Sequence, residues 1–490
     1  MLAITVFTSI LFGLIARNFH LAKVLFYDWD EGMYAQIAYE ILKNKSLITT
    51  FNGQVWLDKP PLSHSLIALI FAVLGRSEFW SRFLMLLIAF LQTVLIYFLA
   101  KKIVKHLFPN QRKHGRLWPD QIVYLLPVLV LASSPIFLER ATMLNTDILL
   151  GVGWIGYFLF QDNFSLKLLF LLIGVFSKSI LGFYPLCFEI LTLHKQDSQW
   201  KRVKKLLLMI FLPSIWYIYG YWRFGHYFIQ THFFDQVVKR MFVPIELHFG
   251  DKFYYFFYLW KSLGILSLLL IPAYVLLSID FINLILRHKF KFNQSKKWWF
   301  FLVLYSPLIF LIFLTFGKTK IYWYFGAMLP LFALLYPYLF FRIKNGFFRF
   351  CLALLIVFIF LINFFPQTYA LKIKYETPDK LKLAFCLTDI PGEKIAFLVD
   401  EDERKIKNFL EAAHYQTSSS FFYGGSPSFV FYLKKKINYF YSVDDFIKNI
   451  GKEKIIVVSK KDLSDKKLSN LVINQFKPSC QFGDWLSFVR

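Results

Sequence analysis

Apolar residues along this chain fall in long unbroken runs, and short clusters of lysine and arginine separate them. A helix needs about 20 apolar residues to cross the hydrocarbon of a bilayer. By that measure the spacing predicts spans near 2–19, 79–100, 120–138, 147–161, 165–178, 180–194, 206–222, 256–286, 298–316, 321–341 and 347–366. The first run lacks a basic start and a small-residue cleavage site, so it reads as a span and not as a removed signal. The run 61–75 is apolar but short for a crossing, and predicts an interfacial or re-entrant helix instead. Beyond residue 366 the pattern becomes polar and lysine-rich, with short period-two apolar pieces. There 394–399 (KIAFLV) and 454–458 (KIIVV) read as buried strands, and 402–413 and 462–472 as helices. The expectation is an all-α polytopic membrane protein of about eleven transmembrane helices over residues 1–366, followed by a small soluble α/β domain over residues 367–490.

Composition agrees with the pattern. Of 490 residues, 57% are hydrophobic and 60 are Phe, far above a soluble domain. The net charge of +25 raises nucleic acid as a partner, but the cations sit between apolar runs, as in cytoplasmic loops, so membrane lipids are the electrostatic partner and no nucleic acid is expected. Four basic clusters (Lys101–Arg116, Lys195–Lys205, Arg287–Lys297, Arg342–Arg349) are assigned to the cytoplasm. Parity then places a break at Ser177-Lys178-Ser179, with Lys178 at the outer surface. The outer side receives residues 20–78, 139–146, 223–255, 317–320 and the tail. Cys187 and Cys351 read as core residues; Cys386 and Cys480 fall in the tail, where a disulfide requires an oxidising compartment. Gly424-Gly425-Ser426-Pro427 reads as a turn.

The outer segments collect an unusual polar set. The first holds Asp28, Asp30, Glu31, Tyr34, Asp58 and Lys59, with residues 34–45 as a surface helix. The second holds Glu139, Arg140, Asn145 and Asp147; Lys178 stands at the break; the long loop carries His226, His232, Asp235, Lys239, Arg240 and His248; Lys318, Lys320, Tyr322 and Tyr324 follow. A carboxylate that takes a proton makes an acceptor hydroxyl a better nucleophile. Preplaced cations stabilise a phosphate leaving group as it gains charge. Both kinds of group on one face suit transfer of a sugar from a polyprenyl phosphate.

The order DE-x-x-Y, DKPPL, ERATMLNTD, a lone lysine at a helix break, H-F-F-x-x-x-x-x-R and G-K-x-K-x-x-x-Y resembles the GT-C glycosyltransferases. The resemblance is to the branch containing the lipid A aminoarabinose transferase and the protein O-mannosyltransferases, over residues 25–335. It implies a GT-C fold, a polyprenyl-phosphate-linked sugar donor, and a glycolipid or protein acceptor at the outer face of a bacterial inner membrane. It implies Asp30 as catalytic carboxylate beside Glu31, Asp147 as a second, and Lys59 on the lipid phosphate. Arg240, Lys178, Lys320 and Tyr322 complete the donor-phosphate set; Tyr34, Glu139, Arg140 and His248 line the donor or acceptor pocket. No cofactor is required. The residue before the lysine of the double-proline motif can sit at a metal position, and here it is Asp58, so a divalent metal stays open.

Each assignment has a plainer alternative. Asp30 and Glu31 suit a first helical turn, Asp147 suits a helix cap, and Lys59 and Arg240 suit lipid headgroups. A transporter of lipid-linked sugar would also gather cations, but near the midplane and with repeated halves, which this sequence lacks.

Overall fold

The structure, a computed structural model, describes residues 1–109, 120–191, 199–287 and 297–490. Arg112, Lys113, Arg116, Lys195, Lys289, Lys291 and Lys296 of the basic clusters lie outside the described residues. The chain divides into two compact units, each assembled from three segments: Met1–Ala22, Phe79–Gly225 and Phe249–Lys372 in the first, and Lys23–Glu78, His226–His248 and Ile373–Arg490 in the second. The second unit thus adds two stretches from the 1–366 region to the tail.

Among the described residues of the chain, seven helices are long and apolar enough to cross a membrane: Leu2–Leu21, Glu78–Leu107, Phe164–Phe183, Val203–Phe224, Tyr254–Leu286, Lys297–Phe316 and Gly346–Thr368. An eighth is obtained if Gln121–Ala132 and Pro135–Ala141, bent by 76°, count together. The chain is a multi-pass membrane protein, but the count of about eleven is not reached, and the reasons are local. The expected span 147–161 is a helix of 13 residues, Asp147–Leu159, with every residue buried. At 1.5 Å per residue it is only about 20 Å long, so its apolar character serves protein packing and not lipid contact. Glycines let it pack closely: a Cβ on Gly153 would stand 2.7 Å from Gly174 Cα of the neighbouring helix. The expected span 321–341 is broken into a 3₁₀ turn, Tyr322–Ala327, and helices Leu329–Ala333 and Leu335–Arg342. At 180–194, a 3₁₀ turn Ser179–Phe183 and a short helix Leu186–Leu191 precede residues outside the described set.

The break at Ser177-Lys178-Ser179 is present. The helix Phe164–Lys178 ends there, and Ser179 takes φ 57°. That helix forms a hairpin with Asp147–Leu159. Asp162, between the two helices, accepts from Lys102 at 2.8 Å, while Asp147 and Lys178 meet at the opposite end.

In the second unit, helix Asp30–Asn44 starts four residues before the expected 34–45. Strands β1 (Thr50–Phe51) and β2 (Gln54–Val55) form a hairpin whose turn residues Asn52 and Gly53 have φ 53° and 75°. Asn-Gly is the residue pair that such a left-handed two-residue turn demands. The 61–75 run is the 13-residue helix Leu62–Leu74, with Leu69, Val73 and Leu74 exposed. The tail holds β3 (Lys394–Leu398), β4 (Lys436–Phe440), β5 (Ile455–Ser459), β6 (Lys477–Phe482) and β7 (Trp485–Val489) in the order β4-β3-β5-β7-β6. The pairs β3–β4 and β3–β5 are parallel; β5–β7 and β6–β7 are antiparallel. Helices Glu401–Ala412 and Lys466–Gln475 match those expected within a few residues. The buried strands β3 and β5 are the two that the sequence announced; β4, β6 and β7 were missed because their outward residues break the apolar alternation. Cys386 and Cys480 form a disulfide, Cα–Cα 6.5 Å. Cys187, expected in the core, is exposed.

Candidate functional site

The sequence-predicted residues fall into two sets, one in each unit. In the second unit, Trp29 at φ 67° turns the chain into helix Asp30–Asn44. Asp30 opens that helix half-buried. Glu31 is fully buried and its Oε2 accepts from the Tyr27 N–H at 3.1 Å, so it serves the helix entry. Tyr34, one turn on, is buried against the rings of His64 and Trp56, with centroids 4.8 and 6.5 Å away. Trp56 donates to the Tyr423 hydroxyl at 2.7 Å, fixing the strand that delivers Asp58 and Lys59.

Asp58 is buried, and its Oδ2 accepts from the Ser419 hydroxyl at 2.7 Å. Burial pushes its carboxyl up to about 6, against the pull of Lys59. The charges of Glu246 and Arg240 also reach it. Lys59 Nζ donates to Gln236 Oε1 at 2.7 Å. His232 donates from Nδ1 to the Leu57 carbonyl at 2.8 Å, pinning the residue before Asp58. His248 is held below the usual histidine range by burial, with Arg240 adding to the effect and Glu246 opposing it. Asp58, Lys59, Arg240 and His248 therefore share one electrostatic neighbourhood. Among the described residues, no group of three or more His, Cys, Asp or Glu is placed to hold a metal ion.

Asp28, which the sequence left without a role, has a defined one. It accepts from the Ser428 N–H at 2.9 Å, from both Ser426 and Ser428 hydroxyls, and so anchors the turn after Gly424-Gly425. Gly32 lies so close to Ser428 that a Cβ would come within 2.6 Å of its backbone. That turn is a docking element of the fold.

The sequence also missed His64. It is fully buried, with its ring edge-on to those of Tyr34 and Trp56. Burial drives it down to about 3, so it is neutral at physiological pH. Its place four residues after Pro60 was the available signal.

In the first unit, Asp147 and Lys178 form a buried ion pair, with side-chain exposures of 3% and 6%. Lys178 is thus buried within the protein; its Nζ also lies 4.3 Å from the Tyr324 ring centroid. Asp147 does not cap its helix. Asn145 does so, its Oδ1 accepting from the Asp147 and Ile148 N–H groups at 3.0 Å. Freed from capping, Asp147 faces Lys178. Beside this, Tyr322 donates to Glu139 Oε1 at 2.6 Å and accepts from Arg140 Nη2 at 3.2 Å, while Arg140 pairs with Glu139 at 2.8 Å. Lys320 departs from expectation. Its ammonium donates to the carbonyls of Leu314 and Thr315 at 3.2 and 2.7 Å, closing the end of helix Lys297–Phe316.

No protein-family profile matches the chain. Two uncharacterised proteins of Aquifex aeolicus (strain VF5) are each 25% identical to it. One match runs over 242 residues, 46% of this chain and 45% of the relative; the other over 297 residues, 60% and 63%. The chain therefore spans less than two thirds of either relative's length. Among solved structures, ArnT from Cupriavidus metallidurans bound to undecaprenyl phosphate superposes with TM-score 0.68 at 11% identity, covering 99% of this chain and 97% of that one. The apo form of the same protein gives 0.66. This likeness includes the tail, where the sequence motifs gave no guide. Over 99% of its length the chain has a fold like that of ArnT.

Proposed function

We propose that the protein is an integral-membrane glycosyltransferase that takes a sugar from a polyprenyl-phosphate carrier. The observation that carries the reading is the whole-length likeness to a protein crystallised with undecaprenyl phosphate, joined to motifs that occur in family order. A hydroxyl of a glycolipid or protein acceptor attacks the sugar carbon and its proton passes to Asp30. The bond from that carbon to the phosphate oxygen breaks, the carbon inverts, and polyprenyl phosphate leaves. Lys59 and Arg240 carry the charge that the phosphate gains. Asp147 is retained as a second carboxylate and Lys178 as a phosphate cation, while Glu139, Arg140, Tyr322, Tyr34 and His248 are assigned to binding. Lys320, tied to two carbonyls, is the weakest member of the set.

The disulfide supports an extracytoplasmic tail, because such bonds persist in oxidising compartments. That bond and the basic loops support an inner-membrane location with the acids on the periplasmic side. A carrier-translocating function predicts movement of labelled lipid between leaflets without cleavage of its sugar–phosphate bond. Purified protein in liposomes, given a labelled undecaprenyl-phosphate sugar and envelope extract, separates the two by release of undecaprenyl phosphate. Mass spectrometry of envelope lipids and proteins with and without the gene then identifies the acceptor.

A further inference from the structure

The second unit carries a cleft of about 390 Å³ that the transfer reading does not use. It is bordered by Arg76, Glu78, Phe385, Asp389, Tyr432 and Lys434, within the size range of small-ligand sites. Two cations and two carboxylates border it, so its charged rim is neutral in sum and split in sign. Its polar groups are held in place before any ligand arrives. The Arg76 guanidinium is clamped between two rings, 4.0 Å from the Tyr39 centroid and 4.2 Å from that of Phe431. Arg76 Nη2 donates to the Phe431 carbonyl at 2.7 Å, and this one bond leaves most of its five donors uncommitted. Tyr432 donates to Glu78 Oε1 at 2.6 Å and accepts from the Phe26 N–H at 2.7 Å. The carboxylate is thereby oriented while its second oxygen stays available. Phe385, 44% exposed, supplies an apolar wall, and Asp389 and Lys434 stand exposed at the rim.

A planar guanidinium with free donors and a nearby ammonium suits a phosphodiester. Two carboxylates beside aromatic faces suit a primary ammonium. A neutral sugar would leave four charges unanswered, and a simple anion would leave the two acids opposed to it. Position adds the source. Glu78 is the first residue of the 30-residue apolar helix Glu78–Leu107, and the helix ending at Leu74 leaves Val73 and Leu74 exposed just before Arg76. A ligand here has lipid chains for neighbours. We propose that this cleft binds the headgroup of a zwitterionic aminophospholipid, with phosphate on Arg76 and Lys434 and ammonium on Glu78 and Asp389. The site is separate from the transfer chemistry and stands or falls apart from it.

The test uses full-length protein in detergent with equimolar short-chain phosphatidylethanolamine, phosphatidylcholine and phosphatidylglycerol, and native mass spectrometry to count retained lipids. Wild type retains phosphatidylethanolamine preferentially. The exposed-rim variants D389N and K434Q keep the wild-type melting temperature and lose that preference, with apparent affinity about tenfold weaker. Equal retention of the three lipids, or an unchanged preference in both variants, overturns the proposal. Free phosphoethanolamine, added to protein in phosphatidylcholine nanodiscs, distinguishes the source: weak binding agrees with a lipid ligand, whereas binding as tight as that of the lipid assigns the cleft to a soluble zwitterion and refutes the lipid assignment.

Discussion

The buried pair Asp147–Lys178 separates a structural role from a chemical one. Both side chains are almost fully removed from solvent, at 3% and 6% exposure, so neither charge is tolerable alone. Removing one partner of a buried pair leaves the other uncompensated and costs about 3–5 kcal/mol. Asp147→Asn and Lys178→Met are each expected to lose that much stability, a change of about two to four decades in the unfolding equilibrium. Removing both charges together leaves no buried ion, and replacement of such pairs by neutral groups is often close to neutral. The double variant is therefore expected within about 1 kcal/mol of wild type, with a coupling energy of about 5 kcal/mol or more. Denaturant unfolding in micelles, followed by tryptophan fluorescence, reads these values. Turnover of a polyprenyl-phosphate sugar by the same preparations reads the second half. A pair that merely joins two helices predicts a double variant that folds and transfers. The proposed roles predict one that folds yet transfers at least about a hundredfold more slowly. Single variants within about 1 kcal/mol of wild type would refute the desolvation argument; near-normal turnover in the double variant would refute the roles.

The Asp58 carboxyl, raised to about 6 by burial, makes folding favour its protonated form. Its contribution is full below the ordinary value of 3.8 and is lost as pH rises through 6. Asp58→Asn is therefore expected to gain on wild type as pH rises, from nothing near pH 4 to about 3 kcal/mol near pH 8, as measured by denaturant midpoints; a gap that does not change with pH would count against it. Gly153→Ala places a Cβ 2.7 Å from Gly174 backbone and is expected to cost about 1–3 kcal/mol, seen as a lower melting temperature. Cys386→Ser with Cys480→Ser opens a loop between residues 94 apart and is expected to destabilise the tail by about 2–5 kcal/mol; limited proteolysis reporting no added cleavage would contradict this.

The fold was largely legible where hydrophobic length alone decides. The long helices announced themselves, as did the break at Lys178, because a charge inside an apolar run is costly. Length failed where burial in protein replaces burial in lipid: Asp147–Leu159 is as apolar as a span but too short to be one. The site was legible as residue types in order and not as partnerships. Nothing local indicates that Ser419 meets Asp58 across 361 positions, or that Asp28 holds a turn 398 residues away. Such contacts depend on tertiary folding, which spacing does not encode. The Asn52-Gly53 hairpin went unread, because its flanking strands are two residues each and only the turn pair marks them.

The central claim rests on Asp30, half-buried at the start of helix Asp30–Asn44. The most direct measurement is release of undecaprenyl phosphate from its labelled sugar conjugate by wild-type and Asp30→Asn protein in the same liposomes, each checked for equal insertion and melting temperature. The account predicts steady release by wild type and a loss of at least about a hundredfold in the variant. Release by Asp30→Asn at the wild-type rate, or none by wild type with every acceptor fraction supplied, would contradict it.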